Sequence, residues 1–249
     1  MTDKVKPMIQ EVIYSSVEKG LDGQQGYGVV ARTRELSPRV ADHLAPLSNY
    51  QHLRPGSPSP TNYGHSLLES PEGTFHLLSR VGDGGRDYSG RRCLFAHHIS
   101  LPVSENLPAG GAAWTCAHRE TFYKSWDLRP GILKPRLLPE TQFQLKGCHL
   151  WKKRIGSDRG AHQLADAFRN DSLHPVYVLY EPAVRLLPLL VEATCLLPAE
   201  LRWQVTFCTF FAGTVPGLKC QWRGVPQNST IHRRLQSRGQ PMIDLTSYS

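Results

Sequence analysis

The sequence predicts an α+β / α/β fold. The N-terminal half is mainly antiparallel β with one short helix, and a smaller α/β half with a strand–helix–strand crossover follows it. Up to residue 102, apolar stretches of strand length are separated by turns, and one helical pattern interrupts them, which is typical of antiparallel sheets. From residue 157, helical periodicity alternates with apolar runs, which is typical of parallel strands joined by right-handed crossovers.

Two strands and a helix are predicted first. Met8–Val17 and Gly26–Arg34 are rich in Val, Ile, Tyr and Thr and flank a polar, glycine-containing loop, which predicts two strands. Ser37 directly before a proline is a helix-start signal. Apolar residues then recur at helical spacing, so a short helix is predicted over Pro38–Leu47.

A hairpin and one more strand complete the predicted antiparallel half. Tyr63–Glu69 and Thr74–Val81 flank the turn Ser70–Gly73, a pattern that predicts paired strands. Cys93–Leu101 adds a further strand. Prolines then interrupt the stretch from residue 128 to residue 140, and we place the boundary between two domains, 1–135 and 136–249, within it.

The second half is predicted to alternate helices and strands. Ser157 is the expected cap of a helix that buries Ala161, Leu164, Ala165 and Phe168. A continuous apolar run then predicts a strand buried on both faces. The predicted elements are that strand at Pro175–Tyr180, a helix at Leu186–Arg202, a strand at Trp203–Phe211, and further strands at Leu218–Val225 and Met242–Thr246.

Composition limits the class of protein. The N-terminal residues are polar and charged, which is unlike a secretory signal, and the longest apolar tract, Leu186–Pro198, is too short to cross a membrane. We therefore expect a cytoplasmic protein without membrane contact. The six cysteines stand singly, without zinc-type spacing, so we expect reduced thiols, no metal site and no cofactor. A net charge of +8 and a pI of about 9.3 describe a basic protein, which permits acidic protein or nucleic-acid partners.

A basic, glycine-rich segment from residue 82 to residue 92 is the main candidate for partner binding. Gly82–Gly85 has neither the dinucleotide-binding spacing nor the Gly-Lys-Ser/Thr ending of a P-loop. We predict a mobile docking loop, because glycines permit mobility and arginine forks bind carboxylates or phosphates. Its candidate partner-binding residues are Arg86, Asp87, Tyr88, Arg91 and Arg92.

Paired histidines follow this segment. On an extended strand His97 and His98 point to opposite faces, so the pair cannot chelate one metal. One is expected in the core and one near the surface. The alternative is an enzyme, a nuclease or hydrolase, in which either histidine is the general base. In such an enzyme, Arg86, Arg91 or Arg92 would stabilise an anion in the active site. Asp83, Asp87 or Glu120 would supply the further acid or base.

Basic clusters in the second half support a different alternative, a nucleic-acid-binding protein. The clusters contain Lys152, Lys153, Arg154 and Arg159, and then Arg233 and Arg234. Trp151 precedes the first cluster, and an aromatic ring beside cations is one element of a single-strand binding surface. A solvated basic face is the competing interpretation, because no known nucleic-acid-binding motif accompanies the charges.

Several segments together resemble a bacterial family, the GTPase-associated protein N-terminal domain of the second type, followed by its middle region. The segments are Ile9–Ser16, Gly26–Thr33, Leu78–Arg80, Asp87–Arg91, Phe95–His98, Leu201–Phe207 and Cys220–Gly224. The resemblance implies a cytosolic component of multi-gene systems built around GTPases, of the conflict or defence type. It implies no catalytic residues. We therefore expect a non-catalytic adaptor with a protein partner, a GTPase or another NTPase, while the enzyme and nucleic-acid alternatives stay open.

Overall fold

The structure is a computed structural model that describes residues 8–48, 60–104, 106–127, 129–139, 143–144, 147–214 and 218–246. Eleven strands and six α-helices lie in this part of the chain, which confirms the predicted α+β class. The chain divides into two compact units. The first unit takes residues 1–62, 67–107 and 119–139, and the second takes residues 63–66, 108–118 and 140–249.

The first unit is a mainly antiparallel sheet. Its strands are β1 (Met8–Val17), β2 (Gly26–Thr33), the end of β3 (Asn62–Ser70), β4 (Gly73–Arg86), β5 (Arg92–Pro102), β6 (Gly131–Leu133) and β7 (Arg136–Leu137). Their order is β3-β4-β5-β1-β2-β6, and β7 pairs with β1. The β1–β2, β1–β5 and β4–β5 pairs are antiparallel, whereas β6 runs parallel to β2. The proline-interrupted stretch that was predicted as a boundary therefore carries two short paired strands.

Strand β5 is the centre of this unit. Its residues Cys93–Leu101 are all buried, because the sheet is covered on both faces. On one face the helix α1 (Pro38–Leu44) buries Val40 and Leu44, and it continues as a 3-10 turn from Ala45 to Ser48. The predicted helix thus forms, but α-helical geometry ends early because Pro46 has no N–H to donate.

The second unit is a parallel α/β arrangement. Its strands β8 (Val176–Tyr180), β9 (Phe207–Cys208), β10 (Trp222–Pro226) and β11 (Met242–Asp244) lie in the order β11-β8-β10-β9 and are parallel. Its helices are α2 (Gly111–Ala117), α3 (His149–Ile155), α4 (Arg159–Asn170), α5 (Leu186–Cys195) and α6 (Thr230–Ser237). Helices α2, α3 and α4 all pack on α5. The predicted crossover is present in β8–α5–β9, with β10 between the two strands.

Two predicted elements of this unit are shorter than expected. The helix predicted over Leu186–Arg202 ends at Cys195, because Pro198 cannot continue the backbone hydrogen bonding. The strand predicted over Trp203–Phe211 is reduced to β9. The residues just before β9 make other tertiary contacts instead of pairing as a strand. The indole N–H of Trp203 donates to Pro108 O at 2.7 Å, and Val205 O lies 2.7 Å from His65 Nδ1.

Candidate functional site

The glycine-rich segment forms the end of a β-hairpin, here called the hairpin tip (residues 86–92). Strand β4 continues through Arg86, and Arg86 pairs with Arg92 of β5. The Asp87 N–H donates to Arg91 O at 2.8 Å, and the Gly90 N–H donates to Asp87 O at 2.9 Å. Gly90 has a φ of 80°, the left-handed conformation that glycine adopts without strain. The segment predicted as a mobile loop is therefore a strand end with a tight, hydrogen-bonded turn.

The side chain of Asp87 stabilises this turn by accepting hydrogen bonds from its backbone and side chains. Its Oδ1 accepts hydrogen bonds from the Ser89 and Arg91 backbone N–H groups at 2.9 and 3.1 Å and from Ser89 Oγ at 2.7 Å. Its Oδ2 accepts from Ser16 Oγ of β1 at 2.8 Å. The side-chain hydrogen bonds from Ser89 and then Ser16 hold the pKa of Asp87 at about 2. The carboxylate is thus ionised at neutral pH and is used to order the turn.

The other predicted residues of the tip divide into two groups. The Arg86 side chain binds within the tip itself, since its Nη1 donates to Gly90 O at 2.6 Å. Arg91 and Arg92 are exposed, and neither side chain makes a hydrogen bond or ion pair with any residue that the structure describes. Tyr88 is 46% exposed. The tip therefore presents two unpaired guanidinium groups and one aromatic ring on a turn that is already ordered.

His97 lies in the core of the first unit, between groups that use both of its ring nitrogens. The Tyr123 backbone N–H donates to Nδ1 at 3.0 Å, so the proton of the neutral ring is on Nε2. Nε2 lies 3.0 Å from Glu11 Oε1, a close polar contact without the alignment of a hydrogen bond. Burial lowers the pKa of His97, and the Glu11 carboxylate only partly opposes this. The ring is therefore neutral and orients the carboxylate.

Arg136 completes this buried group. Its Nε and Nη2 donate to Glu11 Oε1 at 3.0 and 2.5 Å, and Nη2 also donates to Thr121 O at 2.7 Å. The guanidinium lies 5.3 Å from the centre of the Tyr123 ring, a cation–π distance. Burial raises the pKa of Glu11, but the contacts with His97 and Arg136 outweigh it, so the net pKa is lowered. Glu11 is thus a buried, ionised carboxylate.

Sequence analysis did not identify Glu11 or Arg136. A signal for Glu11 was present, because it is a charged residue inside a strand otherwise rich in apolar residues. Arg136 carried no comparable signal, since it lies among prolines. A third charged residue, Arg80 of β4, is paired in register with His97. Its Nε and Nη1 are buried and have no hydrogen-bond partner among the residues that the structure describes.

His98 lies on the opposite face of β5 and is also fully buried. Its Nδ1 and Nε2 each lie 2.8 Å from a serine hydroxyl, Ser79 Oγ and Ser48 Oγ. Burial, and then the charge of His97, lowers the pKa of His98 to about 3. The prediction that one of the two histidines lies near the surface is wrong, because both faces of β5 are covered.

The histidines and the arginines of the tip do not converge on one point. Arg92 and His97 are separated by five residues of strand β5, which is about 17 Å of extended chain. Of the acidic residues named for the enzyme alternative, Asp83 accepts from the Gly85 N–H at 2.8 Å. The Glu120 side chain is 61% exposed and lies 3.4 Å from Arg119. No acid, base and anion-binding group therefore come together among these residues.

The basic residues of the second unit are partly neutralised. Lys152 Nζ lies 3.1 Å from Asp158 Oδ2, and Arg154 Nη2 lies 3.0 Å from Glu181 Oε2. Lys153, Arg159, Arg233 and Arg234 are exposed. Trp151 is fully buried, with its indole N–H on Leu189 O at 2.8 Å. It is thus a core residue and not a surface for base stacking.

No cluster of three or more His, Cys, Asp or Glu side chains with the arrangement of a metal site lies in the described part of the chain. None of the described helices has the length and apolarity needed to span a bilayer.

The match to family models places the chain in a class of GTPase-associated proteins. Residues 8–141 match the family model described as GTPase-associated protein 1, N-terminal domain type 2, and residues 148–247 match GTPase-associated protein 1, middle domain. The chain is therefore a member of the GTPase-associated protein 1 family, and the resemblance noted in the sequence is confirmed. No curated protein and no solved structure matches the chain.

Proposed function

We propose that this chain is a non-catalytic adaptor of a bacterial, cytoplasmic GTPase-associated system of the conflict or defence type, and that it binds a protein partner through the hairpin tip. The observation that carries the proposal is the ordered turn, capped by Asp87, that presents the exposed Arg91 and Arg92 beside Tyr88. The implied partner is a GTPase or another NTPase with an acidic surface.

The ordered, hydrogen-bonded conformation of the tip favours the binding of a partner. A turn fixed by six hydrogen bonds that involve Asp87 loses little conformational entropy when a partner docks. Arginine and tyrosine are enriched in protein interfaces and among residues that dominate binding energy. A guanidinium fork also pairs with carboxylates in a defined orientation. These properties fit recognition of an acidic protein surface.

The enzyme alternative is less well supported. A general base needs a ring nitrogen within reach of the substrate proton, whereas both nitrogens of His97 and of His98 contact protein groups in the core. His97 is also too far along strand β5 from the arginines of the hairpin tip to act on the same substrate group. Nucleic-acid binding is also less well supported, because Lys152 and Arg154 have acidic partners and Trp151 is buried.

A photocrosslinking experiment tests the proposal. A benzophenone amino acid at Tyr88 is expected to capture a GTPase or another NTPase in the source cells, whereas the same group at the exposed Leu173 is not. Binding of the purified partner to the R91A/R92A variant is then compared with wild type. We expect at least about tenfold weaker binding with an unchanged melting temperature, since exposed charges contribute little to folding.

The matched control is R34A/R39A, which removes two other exposed arginines of the first unit and the same net charge. This control is expected to bind like wild type. Equal loss of binding in both variants would reduce the effect to net charge and contradict a docking role of the tip. Unchanged binding of R91A/R92A would contradict it too. Binding of R91A/R92A to single-stranded DNA with a steep salt dependence, and to no protein, would favour the nucleic-acid alternative.

A further inference from the structure

We propose that Cys208 and Cys220 form a redox-active dithiol, which a hydroperoxide converts reversibly into an intramolecular disulfide. The two sulfur atoms are 3.5 Å apart, and both cysteines are half-buried and in the free thiol form. A disulfide needs a sulfur–sulfur distance of about 2.05 Å. The sulfurs therefore have to approach by about 1.5 Å, a change within the reach of side-chain rotation.

The strand pairing of the second unit brings these thiols together. Cys208 is in β9, where it is in register with Arg223 of the parallel strand β10. Cys220 lies just before β10, and its sulfur is 3.8 Å from Trp222 O. The two thiols are therefore brought together by the pairing of β9 with β10. Their spacing in the sequence resembles no short redox motif.

Arg223 provides a fixed positive charge beside this pair. Its Nε donates to Cys220 O at 2.9 Å, and its Nη1 donates to the Tyr177 hydroxyl at 3.0 Å. Its guanidinium lies 4.5 Å from the centre of the Phe211 ring and 5.5 Å from that of Tyr177. A cation held by four contacts stabilises a nearby thiolate, which is the reactive form of cysteine.

The remaining cysteines are less reactive than Cys220, so an oxidant is expected to react with Cys220 first. The hydrogen bond between the Cys220 and Cys208 thiols, supported by the charge of Arg223, lowers the pKa of Cys220. Burial raises the pKa of Cys148 and of Cys195 to about 11. Burial also raises the pKa of Cys93 and of Cys116. A thiol with a pKa of about 11 holds roughly a hundredfold less thiolate at pH 7 than one with the ordinary value of 9.0.

The reaction balances with a hydroperoxide as the two-electron oxidant. The Cys220 thiolate attacks the peroxide oxygen, the O–O bond breaks, and Cys220 becomes a sulfenic acid while hydroxide or alkoxide leaves. The Cys208 sulfur then attacks the sulfenic sulfur, the S–S bond forms, and water leaves with the thiol proton. Two thiols lose two electrons in total. A small dithiol reductant reverses the reaction by thiol–disulfide exchange.

Peptide mapping of the oxidised full-length chain tests the proposal. Trypsin cleaves after Arg202, Lys219 and Arg223, so each cysteine of the pair falls in its own single-cysteine peptide, 203–219 and 220–223. After one equivalent of hydrogen peroxide and alkylation, we expect these two peptides linked by a disulfide, and separate again after dithiothreitol. Free peptides, or a disulfide that joins other cysteines or two chains, would overturn the proposal.

Three further measurements use matched variants. Phenylarsine oxide, which needs two adjacent thiols, is expected to bind wild type and the C148S/C195S control with equal stoichiometry, and to bind neither C208S nor C220S. In C208S, peroxide is expected to leave a sulfenic acid at Cys220 that dimedone captures. In wild type at pH 7, iodoacetamide is expected to alkylate Cys220 at least about tenfold faster than Cys148, because the larger thiolate fraction outweighs the lower nucleophilicity of that thiolate. Equal alkylation rates, or arsenical binding by either single variant, would refute the dithiol.

Discussion

Replacing Arg136 by methionine tests whether the buried carboxylate of Glu11 is essential to the first unit. The substitution removes every hydrogen bond that the guanidinium donates, two of them to Glu11 Oε1, and keeps much of the apolar volume. The Glu11 carboxylate then stays fully buried, with neutral His97 as its remaining partner at 3.0 Å. We expect a large loss of stability, because an uncompensated charge in the core is costly.

The magnitude follows from the geometry. Removing one partner of a buried ion pair costs about 3–5 kcal/mol. The Arg136 side chain is 26% exposed, so solvent screens part of the interaction, and we expect a loss of about 3 kcal/mol in the free energy of unfolding. For a unit of this size, that loss corresponds to a fall of about 10 °C in melting temperature.

Urea denaturation at pH 7, followed by hydrogen exchange of peptides from β1 and β5, measures this loss in the first unit. The control is R129M, because Arg129 is 88% exposed and lies 4.0 Å from Asp127. A surface pair of this kind is expected to contribute less than about 1 kcal/mol. Equal stability of R136M and R129M would refute the argument that the buried carboxylate depends on Arg136.

The pH dependence of R136M gives a second test of the same reasoning. The folded-state pKa of Glu11 is lowered below 4.5, so this carboxylate stabilises the fold above its unfolded pKa and the contribution is lost as pH falls. The difference in stability between wild type and R136M is therefore expected to be full at pH 7 and to shrink below pH 4.5. A difference independent of pH would mean that lost packing, rather than charge, destabilises the variant.

Three further predictions concern other parts of the chain. The pKa of His98 is about 3 in the fold against 6.5 in the unfolded chain, so stability should fall as pH drops below 6.5, and H98Q should remove about 2 kcal/mol of the difference between pH 7 and pH 5. G224A should destabilise the second unit by roughly 1–3 kcal/mol, because a Cβ would lie 2.4 Å from Thr209 O. A fragment of residues 140–249 should not unfold cooperatively on its own, because it lacks helix α2 and residues 63–66 of its unit.

Each of these has a simple check. The slope of unfolding free energy against pH in H98Q, measured by urea denaturation, would equal that of wild type if the histidine did not titrate on unfolding. The control for G224A is G131A, where a Cβ would lie 4.0 Å from Arg129 O and calorimetry should detect almost no change. A sigmoidal melting curve for the isolated fragment would show that the missing segments are dispensable.

The strands with strong alternating or apolar patterns could be predicted from the sequence. β1 was predicted with its observed ends, and β8 within a residue, because local β-propensity and the packing environment agree. The predicted helix over Leu186–Arg202 was too long, since a single proline outweighed the apolar spacing. The helix α6 was not predicted, although Ser229 gave a readable signal: its Oγ accepts from the His232 N–H.

Other features depend on tertiary contacts that no local pattern encodes. The N-cap residue of helix α3, Cys148, makes no capping hydrogen bond with its side chain. Glu192 of helix α5 supplies the cap, because its carboxylate accepts from the Leu150 and Trp151 backbone N–H groups at 2.9 to 3.1 Å. In the sequence, Glu192 only interrupted an apolar tract. The contacts of Glu11 with Arg136 and of Cys208 with Cys220 also join residues that are distant in sequence or placed by strand pairing.

The discontinuity of the second unit constrains how this chain can change during evolution. Helix α2 lies in the sequence region matched by the N-terminal domain model, yet it packs on α5, in the region matched by the middle domain model. A recombination event between residues 141 and 148 would therefore place a foreign α5 under the original α2. The two regions are expected to be inherited together, and substitutions on the contacting sides of these helices to be correlated among relatives.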